Sequence, residues 1–537
     1  MLKQLLIKVL GGTQKKDSAS KKLNPSKEIQ PLSTCFEDNL RTLQKALENS
    51  ADIVFRQLSV QPPSSKKTRV LLVFVEGLCD PKSISADLLK PLLNDLGALK
   101  TPPADLASLH KVVLQQVLSL TDAQTTTNML DLVESVLNGN VALVIDGSDH
   151  AILANLQQKE GRAINEPDTE PVVRGPKDGF VESLQVNASL IRRRIRSSRL
   201  KLELFKVGSL TKTSIGVFYI QGIANDKVVE EVRRRIKRIE IDGILASGYI
   251  EELIGDEPFT IFPLIQTTER PDRSAASLLE GRVVILVDNT PMNLIVPCTF
   301  VSLLQAAEDY YTPSPFASFV RIIRFIALNI ALLLPAMTVA VFSFHQELIP
   351  TTFLTNVASA RQDLPLPISA EVLLMELTFE LLREAGVRLP KTIGQAVSTV
   401  GGLVIGQAAV NAGYVAPIPV IVVAMTAIAS FTIPSYAAGI SIRILRFFLL
   451  ILASLLGGMG IMLGLMTILV HLCSLRSFGV PYLSPFAPLS PKDLKDTFIR
   501  VPWWAMITRP RFFGSKEPIR EGNAQGPTKP DKGGGES

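Results

Sequence analysis

FIALNIALLLPAMTVAVFSF, Phe325 to Phe344, is a run of 20 residues without a formal charge. As a helix rising about 1.5 Å per residue it matches the roughly 30 Å hydrocarbon thickness of a bilayer. Downstream, from Thr392 to Ser474, only Arg443 and Arg446 carry a formal charge. A water-facing surface is not built this way, so the C-terminal half reads as membrane domain. Further spans are expected at Ile393 to Ala412, Val415 to Pro434 and Leu445 to Cys473, the first two of these separated only by Gly413-Tyr414. Arg321 and Arg324 stand just before the quoted run, which by the positive-inside rule puts that end in the cytosol. Four spans then return the tail to the cytosolic side but place Arg443 and Arg446 near the outer face, where they must snorkel or line an aqueous path.

The overall composition hides this asymmetry. The 537 residues are 47% hydrophobic and 20% charged with a net charge of +6, values close to a globular average because a soluble region precedes the apolar half. MLKQLLIKVL at the start is too broken for a signal peptide, so the soluble region is expected to stay cytosolic. Four scattered cysteines and four histidines without metal-ligand spacing point to no zinc site, disulfide framework or cofactor.

Working back from the membrane half, Val70 to Val75, Val141 to Ile145, Leu200 to Val207, Ser214 to Ile220 and Val283 to Val287 read as strands. Asp226 to Arg238 reads as a helix, and helical periodicity runs from about Leu106 to Leu137. The fold class is therefore an α/β soluble N-terminal region of two small subdomains followed by an α-helical polytopic membrane domain. The expected boundaries are a disordered polar extension over 1–30, subdomains over 31–165 and 166–305, a transmembrane domain over 306–478 and a cytosolic tail over 479–537, largely disordered at its end. No GxxxxGK[ST] or GxGxxG stands in the chain, and no nucleophile with its His and acid, so no enzyme is expected.

Three features carry candidate function. SAEVLLMELTFELLREAGVR, residues 369–388, places Glu376, Glu380 and Glu384 four apart on one helical face, with Glu371 just before them. It reads either as an interfacial amphipathic helix or as a re-entrant, pore-facing helix whose carboxylates attract cations when several copies assemble. Gly402 and Gly406, then Gly460 and Gly464, have the spacing that lets helices pack closely, within the chain or between copies. The basic clusters Arg192–Arg199 and Arg233–Arg238 read first as solvated faces, next as contacts to lipid headgroups and last as nucleic-acid contacts, since no aromatic platform is interleaved with them.

EPDTEPVVRGPKDGF (Glu166 to Phe180), NASLIRRRIRSSRLK (Asn187 to Lys201), TERPDRSAASLLEGRVVILVDNTP (Thr268 to Pro291), EDYY (Glu308 to Tyr311), HQELIPTTFLTNVASAR (His345 to Arg361) and LPISAEVLLMELTFELLREAGVRLP (Leu366 to Pro390) resemble the A-subunit family of bacterial spore germinant receptors, the GerA family. The resemblance singles out the loop residues Glu166, Pro167, Arg174, Gly175, Pro176, Gly179 and Phe180. It implies residence in the spore inner membrane, work with a transporter-like B subunit and a lipoprotein C subunit, and homo-oligomerisation into a nutrient-gated cation channel. A paralogue that amplifies ion release during germination, a secondary transporter and a non-conducting scaffold are the alternatives. No nucleic-acid partner is expected; membrane lipid is.

Overall fold

VVILV, Val283 to Val287, shows how the soluble half is layered in the computed structural model, which describes residues 31–61, 67–96, 109–118, 122–158, 165–362, 364–389 and 406–522. Every residue of this strand is buried, because successive side chains enter two different cores. Val283, Ile285 and Val287 pack with Val228 and Val232, while Val284 and Leu286 pack with Leu184 and Leu278. A strand covered on both faces needs no polar side, which is why it reads as a continuous apolar run.

The soluble half contains this arrangement twice. The first unit consists of α1 (Phe36–Ala46), β1 (Ile53–Val60), β2 (Thr68–Val75), β3 (Ala123–Thr126), α2 (Met129–Leu137), β4 (Val141–Ile145) and β5 (Ala151–Ala154). The second consists of α3 (Leu184–Arg194), β6 (Leu200–Val207), β7 (Thr213–Ile220), α4 (Asp226–Lys237), α5 (Ser247–Ile254), β8 (Gln266–Thr268), α6 (Pro271–Leu279), β9 (Val283–Val287) and β10 (Asn293–Val296). Both sheets are antiparallel throughout, with the orders β1-β2-β4-β5-β3 and β6-β7-β9-β10-β8.

The correspondence extends to single side chains. Asn39 in α1 accepts from the Ser33 amide at 2.9 Å and donates to the Ser33 carbonyl at 2.6 Å. Asn187, at the same position of α3, does the same to Val181 at 2.8 and 2.6 Å. After α2 and α6 the chain turns through Gly139 and Gly281, with φ of +94° and +92°. Such φ values favour glycine, and these turns let the Asn140 and Arg282 amides donate back to Ser135 and Ser277, both at 3.1 Å. The soluble half is thus a structural duplication. Its two units join where the Ala51 amide donates to the Leu202 carbonyl and Arg192 makes a two-pronged, buried ion pair with Asp52 at 2.6 and 2.9 Å.

The second basic cluster is also tied into acids. Arg233 pairs with Glu203 and Glu230, Arg234 with Glu231, and Arg235 with Glu231 and Asp256. The helical periodicity read from Leu106 to Leu137 is interrupted, since β3 falls within it. Its Thr125 and Thr126 are β-branched, and the strand has a neighbour in β5 to complete its hydrogen bonds.

The helical half begins with α7 (Ser314–Phe344) and continues through α8 (Thr351–Ala360), α9 (Ile368–Arg388), α10 (Pro417–Phe431), α11 (Tyr436–Leu456) and α12 (Gly458–Ser474). Helices α7 and α11 are each long and apolar enough to cross a membrane; α10 and α12 are apolar but shorter. The span expected over Leu445 to Cys473 is instead the end of α11 and all of α12, which fold back on each other at Gly457-Gly458. Gly457 has φ +58°, and a Cβ there would lie 2.8 Å from the Phe344 ring. Gly460 and Gly464 serve this hairpin, since a Cβ on Gly460 would meet the Leu452 carbonyl at 2.1 Å and one on Gly464 the Leu449 side chain at 2.4 Å. A Cβ on Gly406 would lie 3.4 Å from the Val420 side chain, an ordinary contact distance; Gly402 and most of the expected span from Ile393 lie outside the described residues.

Replacing Asn39 or Asn187 by Ala strands a part-buried amide and a part-buried carbonyl, at a cost of about 1 kcal/mol for each unsatisfied group. Hydrogen exchange should speed up at residues 33–43 for Asn39→Ala and at residues 181–191 for Asn187→Ala, each leaving the other unit protected. Loss of protection in both units from either change would refute their local independence.

Candidate functional site

The charges of the apolar half meet on α9. Glu371, fully buried, pairs with Arg361 at 2.8 Å and accepts from the Ala416 amide at 2.8 Å, so it joins the end of α8 to the start of α10. Glu376 lies 3.0 Å from Arg446 of α11, with both side chains 1% exposed. One turn on, Glu380 pairs with Arg443, with Arg383 at 3.8 Å and Arg446 at 4.0 Å, and its side chain is 33% exposed. Arg383 also donates to Ser430 at 2.8 Å and lies between the rings of Phe379 and Phe431. Glu384 is exposed and pairs with Arg388.

The helical face read from the spacing of Glu376, Glu380 and Glu384 therefore exists, graded from dry to wet. In the single chain it is not an open acidic surface, because arginines from α9 and α11 stand against its buried members. Arg443 and Arg446 are not at the far end of the bundle either. Ser441, just before them in α11, donates to the Ile261 carbonyl in the second α/β unit, so both arginines lie within two turns of that unit. The hairpin at Gly457 makes α11 and α12 antiparallel, so the start of α11 and the end of α12, where His471 meets Thr260, lie at the same end of the bundle.

A second cluster joins the halves. Arg321 and Arg324, read from sequence as flanking positive charges, are buried and converge on Asp309: Arg321 Nε donates to it at 3.0 Å and Arg324 at 2.9 and 3.2 Å. Arg321 also donates to Asp496 at 2.8 Å, and the Tyr310 hydroxyl donates to Asp496 at 2.9 Å. Asp496 belongs to residues 475–522, which run back from α12 over the second unit. There Arg199 pairs with Glu517, Lys516 with Asp226, and Arg509 donates to the Leu279 carbonyl. The described part of the expected tail is thus packed against protein; residues 523–537 lie outside the described residues.

The loop from Glu166 to Phe180 reaches the same junction. Arg270 donates to the Pro176 carbonyl at 2.8 Å and pairs with Asp272, which accepts from the Tyr311 hydroxyl at 2.6 Å. Burial and that hydrogen bond push the Tyr311 hydroxyl above its ordinary range, keeping it a donor. Gly175, at φ +134°, presses on the Tyr311 ring, where a Cβ would come within 2.6 Å. The Arg174 amide donates to Glu308, Glu166 pairs with Lys177, Gly179 packs on Pro167, and buried Phe180 donates its amide to the Glu269 carbonyl. Asp309, Tyr310 and Tyr311 belong to the EDYY segment already noted in the sequence, whereas Asp496 had no local signal. Among the described residues no group of three or more His, Cys, Asp or Glu is placed to hold a metal.

Residues 41–512 match the family model described as Bacillus/Clostridium GerA spore germination protein. The chain belongs to the GerA family. It is 44% identical over 498 residues to spore germination protein KA of Bacillus subtilis, covering 92% of this chain and 90% of that protein. It is 45% identical over 483 residues to the uncharacterized membrane protein YfkQ of the same organism, covering 90% and 92%. The crystal structure of the N-terminal domain of the A subunit of the Bacillus megaterium spore germinant receptor GerK3 is 34% identical, covering 51% of this chain and 98% of that chain with a TM-score of 0.40. Membership places this GerA chain in the germinant-receptor A-subunit family, with a role in spore germination.

Breaking one side of a buried ion pair costs about 3–5 kcal/mol, while replacing both sides with apolar groups is often neutral or stabilising. Glu376→Gln and Arg446→Met should therefore each lower the thermal midpoint of the detergent-solubilised GerA protein sharply, and Glu376→Leu with Arg446→Met should recover most of the loss. Additive losses in the double variant would show that the pair is not a coupled unit.

Proposed function

We propose that this GerA protein is the A subunit of a nutrient germinant receptor. In this reading it is a multi-pass protein of the spore inner membrane whose copies assemble into a nutrient-gated cation channel, working with a transporter-like B subunit and a lipoprotein C subunit. Family membership, the likeness to spore germination proteins and the apolar helices support it. The two α/β units and residues 475–522 pack together at one end of the helices, as expected if both the N-terminal region and the tail face the spore core.

The observation that carries the channel reading is the ladder on α9. Glu380 sits at the edge of the dry region, one turn from the closed Glu376–Arg446 pair, and is held by Arg443. With the arginine in place the carboxylate offers a cation little net attraction. When α9 and α11 shift relative to each other, Arg443 withdraws and Glu380 becomes a cation site, repeated around the axis of an assembly. Gating is then the exchange of an internal arginine for a permeant cation.

In liposomes reconstituted with the full receptor, Glu380→Gln should reduce nutrient-triggered cation flux, and Arg443→Gln should raise flux without nutrient. A bias of about 1.4 kcal/mol toward the open state gives a tenfold leak. Unchanged flux and selectivity in both variants would remove this ladder from the conduction path, and counterflow of a labelled nutrient by the chain alone would favour a transporter.

A further inference from the structure

We infer that the second α/β unit is inserted into the bilayer through the loop Asp256–Pro263, with Phe259 seated among lipid at the boundary of headgroups and acyl chains. This rests on the reading of α7 and α11 as membrane-crossing helices. Phe259 is 94% exposed. A lone exposed phenylalanine is unremarkable on a soluble surface; what matters is the depth at which this one is held.

That depth follows from three helices. The 21 residues of α11 span about 30 Å, so with Leu456 at one face of the hydrocarbon, Tyr436 lies at the other. Ser441 is then about 7 Å inside that second boundary, and it is Ser441 that donates to the Ile261 carbonyl. Helix α12 starts from the far face at Gly458, and His471 lies about 20 Å along it, or about 10 Å short of the boundary. His471 Nε2 shares a hydrogen bond of 2.9 Å with Thr260 Oγ1. Helix α7, whose Phe344 meets Gly457 at the far end, reaches the same boundary near Phe325. The loop is therefore tied to two helices at levels inside the hydrocarbon edge.

The loop is built for that position. Phe262 turns inward to share a core with Ala438, Ile442, Ile468 and Leu472, and its amide donates to Thr260 Oγ1. Ile261 is partly exposed beside Phe259. Asp256, at the root, is held by Arg235 and the Phe478 amide, so its charge stays paired within the protein. The occupant that fits Phe259 and Ile261, exposed on a loop hydrogen-bonded to a helix that itself exposes Ile444, Ile451 and Leu455, is lipid, with the exposed Glu257 carboxylate at the level of the headgroups.

The sequence holds two tryptophans, which permits a direct test on the full chain. With Trp503 and Trp504 replaced by Phe, Phe259→Trp or Ile451→Trp supplies a single reporter. Each variant is placed in vesicles of dioleoyl phosphatidylcholine or of its dibrominated counterpart, and aqueous iodide is titrated separately. The expected result is that brominated lipid removes more than half of the emission of both reporters and that iodide removes little. Quenching of the reporter at 259 by iodide alone, with that at 451 quenched by lipid, would put the loop in water and overturn the inference. A reporter at 259 reached by neither quencher would overturn it in favour of a protein surface, such as a second copy of this chain. If brominated lipid reaches neither reporter, the membrane reading of α11 fails and the insertion fails with it.

Discussion

Asp309 is the residue on which the arrangement of the two halves depends. A carboxylate this deeply buried is tolerable only with compensating charge, and it has two arginines from the first turns of α7. Those arginines would be equally costly without it. Arg321 has charge to spare for Asp496, which brings in the segment that follows the last apolar helix. Two neighbouring pieces of chain and a third about 175 residues on are thus held by charges none of which can be left alone. The end of the soluble half, the entry of the helical half and its exit are fixed together.

The same rule explains why the buried carboxylates of the apolar half, among the described residues, are found in pairs. Glu371, Glu376 and Glu380 answer Arg361, Arg446 and Arg443 across α8, α9 and α11. A helix with that many carboxylates cannot sit in an apolar bundle unless its neighbours carry the opposite sign. The sequence shows the acids because they fall at helical spacing on one element. Their partners are scattered over other helices and look like isolated anomalies.

How far sequence reading reaches can be seen from particular elements. The central strands VALVI and VVILV are legible because burial on both faces makes them uniformly apolar, and α9 is legible because its ends and period are clear. Edge strands β1 and β3 are not, since half their side chains face water and their pairing depends on partners found only in the fold. The duplication is hidden because topology survives with little shared sequence beyond Asn39 and Asn187 and the glycine turns. Among the site residues, Gly175 of the Glu166–Phe180 loop lies against Tyr311 and the Arg174 amide donates to Glu308, whereas Phe180 packs into the core of the second unit. Their link to Asp309 and Asp496 depends on a chain reversal through Gly457 that apolar composition conceals, because two short antiparallel helices and one long span have the same residues.

That reversal has a further consequence. By bringing the start of α11 beside the second α/β unit, it places Arg443 and Arg446 just below the Ser441–Ile261 contact. The charged ladder therefore lies directly beneath a soluble unit that is also tied, through Asp309, to α7. A displacement of that unit cannot leave α7 and α11 both undisturbed, since each is bound to it by groups that are costly to strand. The weakest member of the arrangement is Glu380, partly wet and shared among three arginines. Mechanical coupling from the soluble half would reach the ladder there first, where rearranging an ion pair costs least because water is already at hand.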